Sequence, residues 1–549
     1  MSAIAQYLRA LRRTREGAPT EHSYRPALQA LLQALRPGAV ATNEPQHKQF
    51  GAVDFRISTG TGAEALTIGY VECKDIGAAL DEVERSEQLK RYRDNLPSLV
   101  LTDYLEFRWY VDGERRATAR LAHVDASGRI ATETGGPAAV EELLTSFLQH
   151  APEPIRDPQD LARRMARLTR QIADIVRRQL ASGDHRGEAA QLHRAFQDTL
   201  LPNIEADDFA DMYAQTLAYG LFAARVNHRP GTPFTRRDAA AEIPKTNPFL
   251  RRLFDAITGV ALDDEPYVGY VDDLTRLLAH ADMGAILADF GARTRRDDPI
   301  VHFYETFLAA HDPELREMRG VYYTPEPVVS YIVRSVDWIL KEHFGLPDGL
   351  ADRSTVEYEV NLPDGTTEKR TSPKVLILDP ACGTGTFLYH VIDHIRQQFV
   401  RSNNAGMWPG FVREQLLPRL FGFELLMAPY AVAHLKLGMQ LAALDMTEEQ
   451  RAKWAYNFES DERLGVYLTN TLEEGDNLAQ RQFGVMKTIA DEANAASEVK
   501  HDLPIMVIIG NPPYSKFSVN DGPWMDQRLA SILQDHCALR GGPDTGSLG

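Results

Sequence analysis

The chain has 549 residues, 44% hydrophobic and 25% charged, with a formal net charge of −17. That length exceeds one core and calls for about three domains of roughly 100–200 residues, in a composition ordinary for a soluble globular protein. Three scattered cysteines (Cys73, Cys382, Cys537) without a CxxC pair argue against a disulfide framework and a zinc site, and no apolar run reaches a membrane span of ~18–20 residues.

With no signal-peptide pattern at the N-terminus, the expectation is a cytoplasmic protein with no membrane partner. The acidic total does not settle nucleic-acid binding, because phosphate affinity depends on local basic surface. Two basic clusters exist, Arg115, Arg116 and Arg120, then Arg163, Arg164, Arg167, Arg170, Arg177 and Arg178. The second reads equally as a solvated helix face.

In chain order, helices are expected at 3–14 and 21–35. Short β-type runs follow at 53–57, 66–73, 99–102 and 105–111, with a charged helix at 81–93 between the second and third. This reads as a small α/β domain ending at the proline-rich joint near Pro152, residues 1–152. Residues 153–305 show helical spacing and few strand signals, and a Phe209, Tyr213, Leu217, Leu221 stripe reads as core packing. From about residue 306 the pattern returns to α/β. Apolar strands at 375–378, 420–423 and 505–509 alternate with helices, which implies a mostly parallel sheet with ligands at the strands' carboxyl ends.

The strand in KVLILDPACGTGTFL (374–388) ends at Asp379, and Gly383 and Gly385 permit a close turn before a helix opens near Thr386. Backbone N–H groups in such a turn can receive an anion. No GxxxxGK[ST] occurs, so ATP-driven translocation is not encoded in this chain. In IMVIIGNPPYSKF (505–517) a second buried strand leads into Asn511-Pro512-Pro513-Tyr514. Two prolines stiffen that turn, the Asn511 side-chain oxygen and Pro512 carbonyl can accept from an exocyclic amine, and Tyr514 offers a face for a planar base.

DPACGTGTF and NPPY together resemble motifs I and IV of N6-adenine DNA methyltransferases, and the motif order X, I, II, III, IV is that of their gamma class. GVYYTPEPVVSYIV (320–333) resembles motif X, FGFELLMAPYAVAHLKL (421–437) motif II, and LTNTLEEGDNL (468–478) occupies the motif III position. The resemblance implies a Rossmann-like domain over 306–549 using S-adenosylmethionine and double-stranded DNA. Cofactor contacts would come from Tyr323, Thr324, Pro325, Asp379, Ala381, Cys382, Gly383, Gly385, Thr386, Phe387, Glu424 and Asn470, with Thr471 as the alternative to Asn470. Asn511, Pro512, Pro513 and Tyr514 would engage a flipped adenine. Protein glutamine-N5 methyltransferases share NPPY, but they usually lack the upstream YTP segment and a long helical leader.

In the N-terminal domain, Glu72 and Lys74 lie two apart on an expected strand, so they share a face from which Cys73 is turned away. With Asp54 on the preceding strand they resemble the D…ExK set of PD-(D/E)xK nucleases. There Asp54 and Glu72 would hold Mg²⁺ and Lys74 would orient or deprotonate water. Gln88 and Tyr92 resemble the QxxxY motif of type I restriction nucleases, and Glu21 their leading-helix glutamate. The whole resembles single-chain type IIG and type ISP restriction–modification enzymes without a helicase, with residues 153–305 as a helical coupler. A methyltransferase with an inactive nuclease-like domain, or a DNA-binding remnant, is the alternative reading. Only 35 residues follow Tyr514. The family's later strands and target-recognition domain are therefore expected to be missing, as in a fragment or a truncated reading frame, or recognition falls to a separate specificity subunit. Such a chain would bind cofactor weakly and lack sequence-specific recognition.

Overall fold

The computed structural model describes residues 2–16, 21–43, 53–60, 66–150, 155–183, 187–229, 232–242, 250–251, 254, 260–287, 299–311, 324–361, 366–443, 446–458, 462–472 and 485–512. The chain forms two compact units. One comprises Met1–Glu188, Tyr213–Glu242 and Ala256–His311, the other Ala189–Met212, Ile243–Asp255 and Asp312–Gly549. The stretch read as a helical coupler thus contributes to both.

The first unit opens with the helix Ala3–Arg15, capped by the Ser2 hydroxyl and burying Ile4, Tyr7, Leu8 and Leu11 on one stripe. A second helix, Arg25–Leu35, follows a single tight turn at Glu21–Tyr24. Six strands then form one sheet in sequence order: β1 (Ala39–Asn43), β2 (Phe55–Thr59), β3 (Leu66–Cys73), β4 (Ser98–Thr102), β5 (Glu106–Val111) and β6 (Glu114–Arg120). Only β3 and β4 run parallel, as their helical crossover requires. Alternation puts Phe55, Ile57, Val71 and Cys73 into a core shared with the first two helices and the helix Gly136–Gln149. A short hairpin, β7 (Ala122–Val124) and β8 (Ile130–Thr132), stands outside the sheet.

The expected charged helix at 81–93 is two helices, Leu80–Arg85 and Glu87–Asn95. Ser86 takes an extended conformation and its hydroxyl accepts from Leu89 N–H at 3.3 Å, so it ends one helix by capping the next. Strands β1 and β6 were not among the expected ones; β6 is exposed along most of its length and lacks an apolar alternation.

Among the described residues between 155 and 311 there are helices and no strands, including Pro158–Ala181, Ala206–Asn227, Val268–His280 and Pro299–His311. The stripe Phe209, Tyr213, Leu217 and Leu221 is buried. The arginine row on Pro158–Ala181 is largely committed to partners in its own unit. Arg164 and Arg178 reach Asp160 and Asp174 at 2.9 and 3.0 Å, Arg167 pairs with Asp112, and Arg170 reaches Asn95 Oδ1 at 2.8 Å.

In the second unit a hairpin, β9 (Thr355–Asn361) and β10 (Thr367–Pro373), precedes a wholly parallel sheet of β11 (Ile377–Asp379), β12 (Leu420–Glu424), β13 (Gly465–Leu468) and β14 (Val507–Ile508). Its spatial order is β13-β12-β11-β14, so the connections from β11 run to one side and β14 returns on the other. On one face Leu376, Leu378, Phe421 and Phe423 meet Ala496 and Val499 of the helix Val485–His501. Strands β11 and β14 do not coincide with their apolar runs, because only Ile377–Asp379 and Val507–Ile508 pair in register with a neighbour on the sheet. Among the described residues no helix is long and apolar enough to cross a membrane.

Candidate functional site

Strand β11 lies between β12 and β14, and the turns that follow all three emerge at their carboxyl ends. This is the switch point at which open parallel sheets collect ligands. The β11 turn is built for close approach. Gly383 and Gly385 have φ of 54° and 76°, in the left-handed region, and Gly385 caps the helix Thr386–Arg401. A β-carbon on Gly383 would meet nothing within 4 Å among the described residues, which leave that side of the turn open. Ala381 N–H donates to Asp379 Oδ1 at 3.2 Å, and Cys382 N–H to the Phe423 carbonyl at 2.9 Å. Cys382 and Phe387 are themselves buried. Thr386 Oγ1 accepts from Lys436 Nζ at 3.3 Å.

Glu424, the last residue of β12, joins this turn from the side. Its Oε2 accepts from Gly383 N–H at 2.9 Å and its Oε1 from Leu425 and Leu426 N–H at 2.9 and 2.8 Å. Burial nevertheless pushes its pKa up. A carboxylate has about four acceptor positions, so three N–H donors leave room for a ligand hydroxyl. Burial, with Glu424 nearby, raises Asp379 to about 7 against the pull of the Ala381 N–H. Its Oδ2 is buried with no hydrogen-bond partner among the described residues.

After β13, Thr471 Oγ1 hydrogen-bonds the Pro380 carbonyl of the β11 turn. The Asn470 side chain is turned elsewhere, with Oδ1 accepting from Leu472 N–H at 3.1 Å and Nδ2 reaching the Leu200 carbonyl at 3.5 Å. After β14, Gly510 abuts the Asp379 carboxylate, and Asn511 Nδ2 donates to Thr324 Oγ1 at 2.9 Å. Pro325 starts the helix Glu326–Glu342. Thus Thr324, Asp379, Gly383, Glu424, Thr471 and Asn511 are joined by contacts among the turns at the carboxyl ends of the parallel strands, and Pro512 is exposed. Tyr323, Pro513 and Tyr514 lie outside the described residues.

A second constellation belongs to the other unit. Phe55 pairs with Val71, which brings Asp54 and Glu72 to adjoining positions. Each is only 1% exposed. Lys74 Nζ lies 2.6 Å from Glu72 Oε1, and Cys73 N–H donates to Asp54 Oδ2 at 2.7 Å. Gln88 Nε2 donates to the Tyr92 hydroxyl at 3.0 Å, and burial, then the Glu72 charge, pushes that phenol's pKa up. The buried Arg25 forms an ion pair with Asp54, which no local spacing in the sequence signals. The helix Val268–His280 lies against the same part of the sheet, since Asp273 accepts from the Thr67 and Tyr70 hydroxyls at 2.5 and 2.6 Å. Among the described residues no three His, Cys, Asp or Glu side chains form a metal-holding group. A divalent ion at Asp54 and Glu72 would first have to displace Arg25.

No curated protein matches the chain. Among solved structures, the DrdV–DNA complex is 20% identical over 96% of this chain and 46% of its own, with a TM-score of 0.40. A nuclease-deletion mutant of the Type ISP restriction-modification enzyme LlaGI, in complex with a DNA substrate mimic, is 20% identical over 72% and 28%, with a TM-score of 0.43. The type IIG restriction endonuclease BpuSI is 12% identical over 96% and 48%, with a TM-score of 0.26. The chain therefore spans less than half the length of each. Residues 295–535 match the N-6 DNA Methylase family model, and this stretch holds strands β11 to β14 and the turns that follow them.

Proposed function

We propose that the chain transfers a methyl group from S-adenosylmethionine to the N6 amino group of adenine in duplex DNA. The observation that carries this reading is the meeting of Asp379, Glu424 and Asn511 at the ends of three neighbouring parallel strands within the family-matched stretch. The bound cofactor would supply an electrophilic methyl group. Glu424 would accept from ribose hydroxyls, and the partnerless Asp379 oxygen from an ammonium or N–H group. The open side of Gly383 leaves the backbone accessible to the cofactor's amino-acid end.

The target base must leave the helical stack before its amino group can reach this site. Asn511 Oδ1 and the Pro512 carbonyl would accept its two N–H groups and turn the nitrogen lone pair outward. Positioning and fixed dipoles then supply most of the acceleration. Incubating the chain with labelled S-adenosylmethionine and duplex DNA tests this: N6-methyladenine should form, and Asn511→Ala should abolish it. Cofactor-free DNA binding with no transfer would favour a remnant instead.

A second reading concerns the N-terminal unit, and the adjoining Asp54, Glu72 and Lys74 with Gln88 and Tyr92 beside them favour it. We propose a nuclease in which Lys74 orients water and Mg²⁺ would be held by Asp54 and Glu72 once Arg25 has moved. Residues 153–305 would then couple the two activities in a restriction–modification enzyme. Mg²⁺-dependent cleavage of unmodified DNA, lost in Lys74→Ala but kept in Asn511→Ala, supports it. A chain that methylates and never cleaves refutes it.

A further inference from the structure

We infer that Thr324 is a positioning residue that anchors the Asn511 carboxamide with its oxygen turned away from the threonine; this rests on the methyl-transfer reading above. The two side chains meet across 187 positions, with Asn511 Nδ2 donating to Thr324 Oγ1 at 2.9 Å in a partly buried setting. Both residues stand immediately before a proline, Pro325 and Pro512. A following proline disfavours helical backbone at both residues, which narrows how far either can swing.

Thr324 also has a firm base. Val328 and Val329 N–H donate to the Pro325 carbonyl at 2.8 and 3.1 Å, which starts the helix Glu326–Glu342 at once. Asp337 ties that helix to the Gly349–Ala351 turn through Leu350 N–H at 2.9 Å and to the Thr386–Arg401 helix through His394. On the other partner, Gly510 holds Asn511 against the β11 strand.

The remaining freedom is rotation of the amide itself. Its two ends differ by a half-turn about a broad, roughly two-fold torsion, and they have opposite chemistry, one accepting and one donating. An amine that offers N–H groups needs the accepting end. Binding the donating end to Thr324 turns Oδ1 to the opposite side. An amide free to rotate would spend part of its time presenting N–H to N–H, which holds the substrate nitrogen away. Thr324 thereby contributes to the chemical step through Asn511, in addition to the cofactor contact expected of it.

The test compares Thr324→Val, which keeps the shape and removes the hydroxyl, with Thr324→Ser, which restores it, in the full chain. Methyl transfer to duplex DNA gives kcat, and equilibrium binding gives the cofactor Kd. Thr324→Val should lower kcat by about 10- to 100-fold, equivalent to about 1.4–2.7 kcal/mol, a larger effect than any accompanying rise in cofactor Kd. Thr324→Ser should recover to within about threefold of the parent, and both variants should melt with the parent. An unchanged kcat, a loss confined to cofactor Kd, or a serine variant as impaired as valine overturns the inference. A parent chain that transfers no methyl overturns the function itself, and the inference with it.

Discussion

Gly510 lies so close to Asp379 that a β-carbon on it would stand 2.5 Å from the carboxylate Oδ1. The residue before the acceptor turn and the acid at the end of β11 are therefore in direct contact. That contact places the glycine-lined turn beside Asn511.

Gly510→Ala should strain this contact because the Asp379 oxygen is already held by Ala381 N–H and cannot retreat freely. Overpacking of this kind costs about 1–3 kcal/mol. Chemical denaturation should register that loss, and methyl transfer should fall by at least about tenfold because Asn511 is displaced. An alanine variant with parental stability and rate would show the contact to be slack.

Asp379 titrates near 7 because burial disfavours its charged form, with Glu424 adding to the effect. Its folded value lies above the ordinary 3.8, so its contribution to stability is most favourable below that value and is lost as pH rises through about 7. A cationic ligand reverses the preference and expels the proton. S-adenosylmethionine should therefore bind more tightly at pH 8 than at pH 6, by about tenfold, and Asp379→Asn should bind weakly with a flat profile. Calorimetry in two buffers of different ionisation enthalpy would detect the released proton. A parental Kd that does not change with pH would sink this reading.

Asp337 shows the opposite sign. Burial alone would raise it, but hydrogen bonds from His394, Lys341 and Leu350 N–H outweigh that and hold it at about 2. The stabilisation is present above the ordinary value of 3.8 and disappears as pH falls from there toward 2. Asp337→Asn should cost about 1 kcal/mol at neutral pH after allowing for solvent screening, and clearly less at pH 2, where the group is half protonated. Parallel denaturation curves at both pH values test it; equal losses would contradict the assignment.

Arg25→Met should be among the most damaging single changes in the N-terminal unit. It strands the Asp54 carboxylate at 1% exposure without its guanidinium. Breaking a buried pair this way costs about 3–5 kcal/mol, and a double change to Arg25→Met with Asp54→Leu should recover most of it. Urea denaturation of the four-member cycle measures the coupling. Additive losses would mean the pair is not a unit.

The parts of the site legible in the sequence are those with a local physical signature. Gly383 and Gly385 stand where the backbone needs positive φ, and Glu72 and Lys74 share a face through the two-residue period of a strand. Ser86 was hidden inside a charged run whose helical pattern continues through it, so a break of one residue carried no periodic signal. Strand β6 was equally silent, because an exposed edge strand needs no apolar face.

By itself the sequence determined the alternation of strand and turn, the glycine and proline positions and the residue chemistry available at each turn. All of these depend on neighbours within a few positions. Only the tertiary structure decided that β11 sits between β12 and β14, that Thr324 holds Asn511, and that Arg25 closes over Asp54. Those pairings span 29 to 187 positions and depend on which apolar faces bury each other, a balance struck over the whole unit and written in no local spacing.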